Sequence, residues 1–266
     1  MTKTAPKPVS AFGLARRCLF SPSEAAAASR APGALPAAAW IYAAFLLATA
    51  VFYAWKPFDF PERNAAFPRE AQGFAFWIKV MLWQPPLELA WVAFLIGLVQ
   101  WFRDGKLFPR ILGAAVAAAI PFVLLVLYRM SGLPWAAYFA LSAAWFAGMA
   151  WLARRAPRED WAPVAALMLA LNIVGLAMLA PMALAVALDS TALFQGAQIA
   201  GGLWVLGCAT LGLRALTRHD RPEGGLRLPR CFMAVLLSMF MQIAFAFTLH
   251  MLGLVPKDIL KALLYA

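Results

Sequence analysis

Apolar positions along this chain do not alternate with polar ones. They run on in blocks of twenty residues or more, separated by short polar or basic breaks. A helix rises about 1.5 Å per residue, so about 20 apolar residues cross the ~30 Å hydrocarbon layer of a bilayer. On that rule the pattern predicts seven spans, over residues 36–55, 81–102, 110–128, 135–153, 162–188, 196–216 and 231–254. Only "RMSGLP" separates the third from the fourth, a tight hairpin broken by Gly132 and Pro134.

The flanks carry shorter signals. Ser21-Pro22-Ser23-Glu24 reads as a capping box with proline at the first helical position, which predicts a short helix from Pro22 to about Arg30. Ahead of it Phe12, Leu14, Leu19 and Phe20 lie among Arg16 and Arg17, the pattern of an interfacial stretch on anionic lipid. After the last span, "KDILKALLYA" predicts a terminal helix on the outer surface, with Lys257 and Lys261 one turn apart. The chain therefore divides into a basic leader (1–35), a transmembrane domain (36–254) and a C-terminal interfacial helix (255–266). No cleavable signal peptide is expected, because the first apolar run starts near Ala37 and is long enough to span.

Composition turns this pattern into a class. Of 266 residues, 64% are hydrophobic and 13% charged, whereas a soluble domain is nearer half apolar and a quarter charged. The expectation is an all-α polytopic membrane bundle. A net charge of +11 raises the question of nucleic acid, but the cations sit in short loops between spans, where they record orientation instead. Sixteen Lys and Arg fall in the leader and the second, fourth and sixth loops, against six on the opposite side. That asymmetry predicts a cytoplasmic N-terminus and an external C-terminus in a cell inner membrane. The cytoplasmic cations Arg16, Arg17, Arg103, Lys106, Arg110, Arg154, Arg155, Arg218 and Arg221 are candidate contacts for anionic lipid head groups or a membrane or cytoplasmic protein partner.

Chemistry inside the spans is sparse. In "WQPPLELAW" a carboxylate, Glu88, follows two prolines, and Lys79 lies upstream. Nine residues on an unbroken helix put these two half a turn out of alignment and about 13.5 Å apart along the axis, which excludes an ion pair in one straight helix. The whole run from Phe74 to Phe102 is about 43 Å as one helix, so a break is expected at Pro85-Pro86. Glu88 then falls in the first turn of the span, where free N–H groups favour a carboxylate, and Lys79 snorkels to the surface. The alternative is a buried Glu88 that handles protons or cations.

Asn172, Gln195, Gln198, Gln242, Thr248 and His250 lie in or beside the last three spans, where interhelical hydrogen bonds explain them. Small residues at Gly196, Ala200, Gly201, Gly207 and Gly212, and at Gly113, Ala117 and Pro121, predict close helix approach. Cys18, Cys208 and Cys231 show neither disulfide nor zinc spacing; Cys18 and Cys231, near span ends, are lipidation candidates. No catalytic, cofactor-binding or metal-binding motif is present.

Three segments carry a resemblance. The leader "ARRCLFSPSEAAAASRAP" is similar to the Leu-x-x-Pro entry ahead of the first span in bacterial members of the Yip (Ypt-interacting protein) family. "WFRDGKLFPRILGAAVAAAIPFVLL" resembles that family's short basic loop with Gly and Phe, followed by a span with a mid-membrane proline; here these are Gly105, Phe108 and Pro121. "LRALTRHDRPEGG" is similar to its penultimate cytoplasmic loop. The family usually has five spans, so seven require an inserted pair within 131–188. The Asp-Leu-Tyr-Gly-Pro motif is missing, so Rab-type GTPase binding does not carry over. The resemblance implies a non-enzymatic membrane scaffold or accessory subunit. A small transporter or channel built on Glu88, Lys79, Asn172, Gln198, Gln242 and His250 is the alternative.

Overall fold

The computed structural model describes residues 9–57, 60, 73–220 and 225–265. Arg221 lies outside the described residues, as do Lys3, Lys7, Arg63, Arg69 and the side chains of Arg158 and His219. The described chain is all helix: α1 (Ala11–Phe20), α2 (Pro22–Ala28), α3 (Ala34–Trp55), α4 (Phe74–Arg103), α5 (Leu107–Met130), α6 (Trp135–Arg154), α7 (Arg158–Ala187), α8 (Thr191–Asp220), α9 (Leu228–Met251) and α10 (Lys257–Tyr265). Seven of these, α3 to α9, are long and apolar enough to cross a membrane, and each covers one predicted span, except that α7 and α9 end one and three residues before the predicted ends at 188 and 254.

Helix α4 is the most buried span and α5 and α6 are the least. It packs against α3, α5, α6, α7, α9 and α10, while α7 packs against α3 and α8. It also corrects the reading of the double proline. Pro85 and Pro86 lie inside one continuous helix, and no new helix begins there. Each proline lacks an N–H, so the carbonyls of Met81 and Leu82 lose their intrahelical donors. Packing on both sides of the prolines outweighs that loss. Trp77, Val80 and Met81 are buried with Phe52, Tyr53, Met182 and Phe194 toward one end, and Trp91 to Phe102 lie in the main core toward the other. Two aromatic groups fix these halves. Tyr53 stacks on Trp77 with ring centroids 4.6 Å apart, and Phe146 of α6 meets Phe245 of α9 at 5.0 Å, both against Phe94 of α4.

The leader is folded onto the bundle. α1 packs on α7 and α3, and α2 on α8, with Leu14, Cys18, Ala25 and Ala26 almost fully buried. This corrects the interfacial reading in part: Phe12 and Phe20 are exposed, but Leu14 faces protein. Lipidation of Cys18 or Cys231 is also corrected, since both are fully buried. Pro22 does start α2, yet Ser21 makes no side-chain cap bond, so the capping box is not formed. At the other end α10 buries Leu260 and Ala262 against α4 and α9.

Lipid is as apolar as a leucine side chain, so helices in a bilayer associate through close packing more than through escape from water. The glycines show where this happens. A Cβ at Gly175 would lie 2.6 Å from Phe45 Cε2, one at Gly201 2.8 Å from Met178 Cγ, and one at Gly212 2.8 Å from Leu167 Cδ2. Gly196 and Gly207 instead face open space, and Ala200 is exposed, so only part of the predicted small-residue stripe is a packing face. Gly175→Ala is expected to lower stability by roughly 1–3 kcal/mol through overpacking. Gly207→Ala is expected to be neutral or stabilising by up to about 1 kcal/mol through helix propensity. Thermal denaturation of both variants in one detergent checks this difference in sign.

Candidate functional site

Glu88 lies roughly halfway along α4, so the first-turn placement does not hold. Its side chain is only 6% exposed and faces α7, where Asn172, also near mid-helix, donates from Nδ2 to Glu88 Oε1 at 3.4 Å. The same Nδ2 lies 3.4 Å from Met168 O and 3.2 Å from Leu169 O, so one amide is shared among three acceptors. From α3, Tyr42 comes within electrostatic reach of Glu88. It is 8% exposed, and its buried hydroxyl has no hydrogen-bond partner among the described residues. Two helices thus bring a carboxyl and an amide together at mid-bundle, with a phenol of a third within electrostatic reach.

The other predicted polar residues do not join this group. Lys79 is exposed, in accord with the helix arithmetic. Gln198 bonds the Tyr53 hydroxyl and, with Thr49, lines a groove of about 290 Å³ between α3, α7 and α8. Gln195 is exposed and Gln242 half-buried. Thr248 donates to Ala244 O within α9. His250 Nδ1 lies 2.8 Å from Val255 O, and since a carbonyl only accepts, this imidazole closes the α9–α10 turn as a donor. Tyr42 was not singled out from the sequence. Its signal was there: one of three hydroxyls, with Thr49 and Tyr53, within the apolar run of the first span.

The basic loops meet at one end of the bundle. Arg30 Nη2 donates to Leu216 O at 3.2 Å, tying the end of α2 to the end of α8. A cavity of about 40 Å³ there is lined by Arg30, Gln100, Arg103, Asp160 and Thr217 over an apolar floor that includes Ile96 and Leu213. Arg230 donates to Phe102 O (2.7 Å), Arg103 O (3.3 Å) and Gly105 O (2.6 Å), closing the carbonyl end of α4. Arg110 lies over the Trp101 ring at 4.5 Å and Arg155 over Trp151 at 3.6 Å. Arg16, Arg17, Lys106, Arg154, Arg155 and Arg218 are exposed.

Fold and site together define a polytopic α-helical membrane protein with a polar group at mid-bundle and a fixed basic rim. Comparison with protein-family models, curated proteins and solved structures finds no match for the chain.

Cys18 reports on the docked leader. Burial, and secondarily the nearby Cys208, push its thiol from 9.0 up to about 12. The neutral thiol therefore favours docking fully below pH 9, and that contribution is lost as pH rises through the folded value near 12. A water-soluble maleimide is expected to modify Cys18 slowly in native protein at pH 7, and quickly once Leu14→Asp undocks α1. Equal rates in both proteins would contradict the docking.

Proposed function

We propose that this protein is a non-enzymatic scaffold or accessory subunit of the cytoplasmic membrane, similar to the Yip family in its N-in arrangement. Its basic rim meets anionic lipid head groups and a membrane or cytoplasmic protein partner. The observation that carries this reading is the docked leader. Because α1 and α2 are buried against α3, α7 and α8, Arg16 and Arg17 stand at the same end as Arg103, Lys106, Arg154, Arg155 and Arg218. A fixed cationic surface of this kind attracts anionic head groups by about 1 kcal/mol per charge. Arg110 and Arg230 contribute less to it, since their guanidinium groups brace the α4–α5 turn.

A second reading, a small transporter, is favoured by one observation: Glu88 is buried at mid-helix against Asn172. A charge-capable side chain in a membrane interior is costly and is commonly found at ion or proton pathways.

The scaffold reading is tested by replacing Arg16 and Arg17 with glutamine and measuring the anionic phospholipid and the proteins that co-purify. Two charges at about 1 kcal/mol each predict a fall in anionic-lipid preference of about thirtyfold, with the fold intact. Unchanged lipid preference and a chain that purifies without partners would contradict it. A reporter fused after Ala266 is expected outside; a cytoplasmic signal would reverse the orientation.

A further inference from the structure

Glu88 is placed where an ionised carboxylate has little to compensate it. Its hydrogen bond comes from an amide at 3.4 Å that is shared with two backbone carbonyls. Among the described residues the other buried side chain of a charged type is Lys56. That lysine stands just past the end of α3 and donates to Pro57 O and Phe60 O. Fourteen residues of α3 separate it from Tyr42, about 21 Å along the axis.

The neighbouring helices add no charge at this level. No Asp, Glu, Lys, Arg or His occurs between Trp161 and Leu188 on α7, between Cys231 and Leu249 on α9, or between Trp135 and Leu152 on α6. The cations of α5, Arg110 and Arg129, lie near its two ends, as do Tyr128 and the Tyr138 of α6 that it meets. Lys257, Asp258 and Lys261 belong to α10, beyond the last span. Cys231 is at the start of α9, and Tyr53 near the end of α3. Among the described residues, the titratable group within electrostatic reach of Glu88 is Tyr42.

We propose that Glu88, held by Asn172 and with the unpartnered Tyr42 hydroxyl of α3 within electrostatic reach, is a proton-binding site in the membrane interior between α4 and α7. The carboxylate takes up one proton to become the neutral acid and returns it when the site opens; no other bond changes. The three groups suit both forms. A phenol hydroxyl either accepts from an acid O–H or donates to a carboxylate, and the Asn172 amide donates to either form. The buried Tyr42 hydroxyl, which has no hydrogen-bond partner among the described residues, is then free to turn to Glu88 as its proton comes and goes. The inference goes beyond the scaffold reading and stands whether or not the protein also moves a solute.

The full chain in liposomes is treated with dicyclohexylcarbodiimide, which adds a protonated carboxyl O–H across its C=N bond and rearranges to a stable N-acylurea. Peptide mass spectrometry is expected to find the adduct on Glu88. Labelling should fall about tenfold per pH unit along its alkaline limb and resist added Na⁺. Glu88→Gln, monodisperse on size exclusion, should lose the adduct, and Asn172→Leu should move the midpoint of the pH profile. Absence of the adduct in the bilayer, labelling that ignores pH, or protection by Na⁺ would each overturn the proposal. An Asn172→Leu profile superimposable on wild type would remove Asn172 from the site.

Discussion

Helix α4 has 30 residues, about 45 Å of helix, against a hydrocarbon layer of ~30 Å. Much of the bundle is organised around that mismatch. A helix too long for the bilayer must tilt, protrude or break, and its two prolines offer a place to break. It runs through instead because each half has its own partners. Trp77 and Met81 are enclosed by α3, α7 and α8 on one side of the prolines, and Trp91 to Phe102 by the main core on the other. Continuity has a chemical consequence. It carries Glu88 from a helix start, where backbone N–H groups would have stabilised a carboxylate, to mid-helix, where a single shared amide donates to it. The membrane-interior polar group follows from that one geometric fact.

The basic rim is held by the same kind of economy. Arg230 closes the carbonyl end of α4, Arg110 stacks on Trp101 across the α4–α5 turn, and Arg30 ties the leader to α8. Of these three only Arg110 was read as a candidate ligand contact, and it is partly occupied by the fold, while others on that reading, such as Arg16 and Arg154, stay exposed. The long apolar surfaces of α5 and α6 have little protein against them and are suited to lipid.

The seven spans were legible because their signal is hydrophobic length, which no tertiary contact overrides. The missing Lys79–Glu88 pair was equally legible, since helix geometry settles it. What failed were readings that weighed local signals against packing. Ser21-Pro22-Ser23-Glu24 has the residues of a capping box, but Ser21 adopts a backbone (φ −144°, ψ 70°) from which its hydroxyl makes no cap bond. The Pro85-Pro86 break was inferred from local cost alone, without the aromatic partners of Trp77, which come from residues distant in sequence. The glycine stripe on α8 was half right, because spacing shows which residues are small and not which face meets α7. Tyr42 was missed because a hydroxyl in an apolar run becomes informative only when a carboxyl from another helix comes within electrostatic reach of it.

The central claim is that α4 is continuous through its prolines and holds Glu88 inside the bundle. Site-directed spin labelling tests it most directly. Single labels at successive positions from Lys79 to Leu95, in a chain whose three cysteines are replaced, are read for collision with oxygen and with a water-soluble nickel chelate. The account predicts an uninterrupted accessibility period of about 3.6 residues across Pro85 and Pro86, with low nickel access at position 88. A period that breaks at the prolines, with high nickel access at position 88, would contradict it.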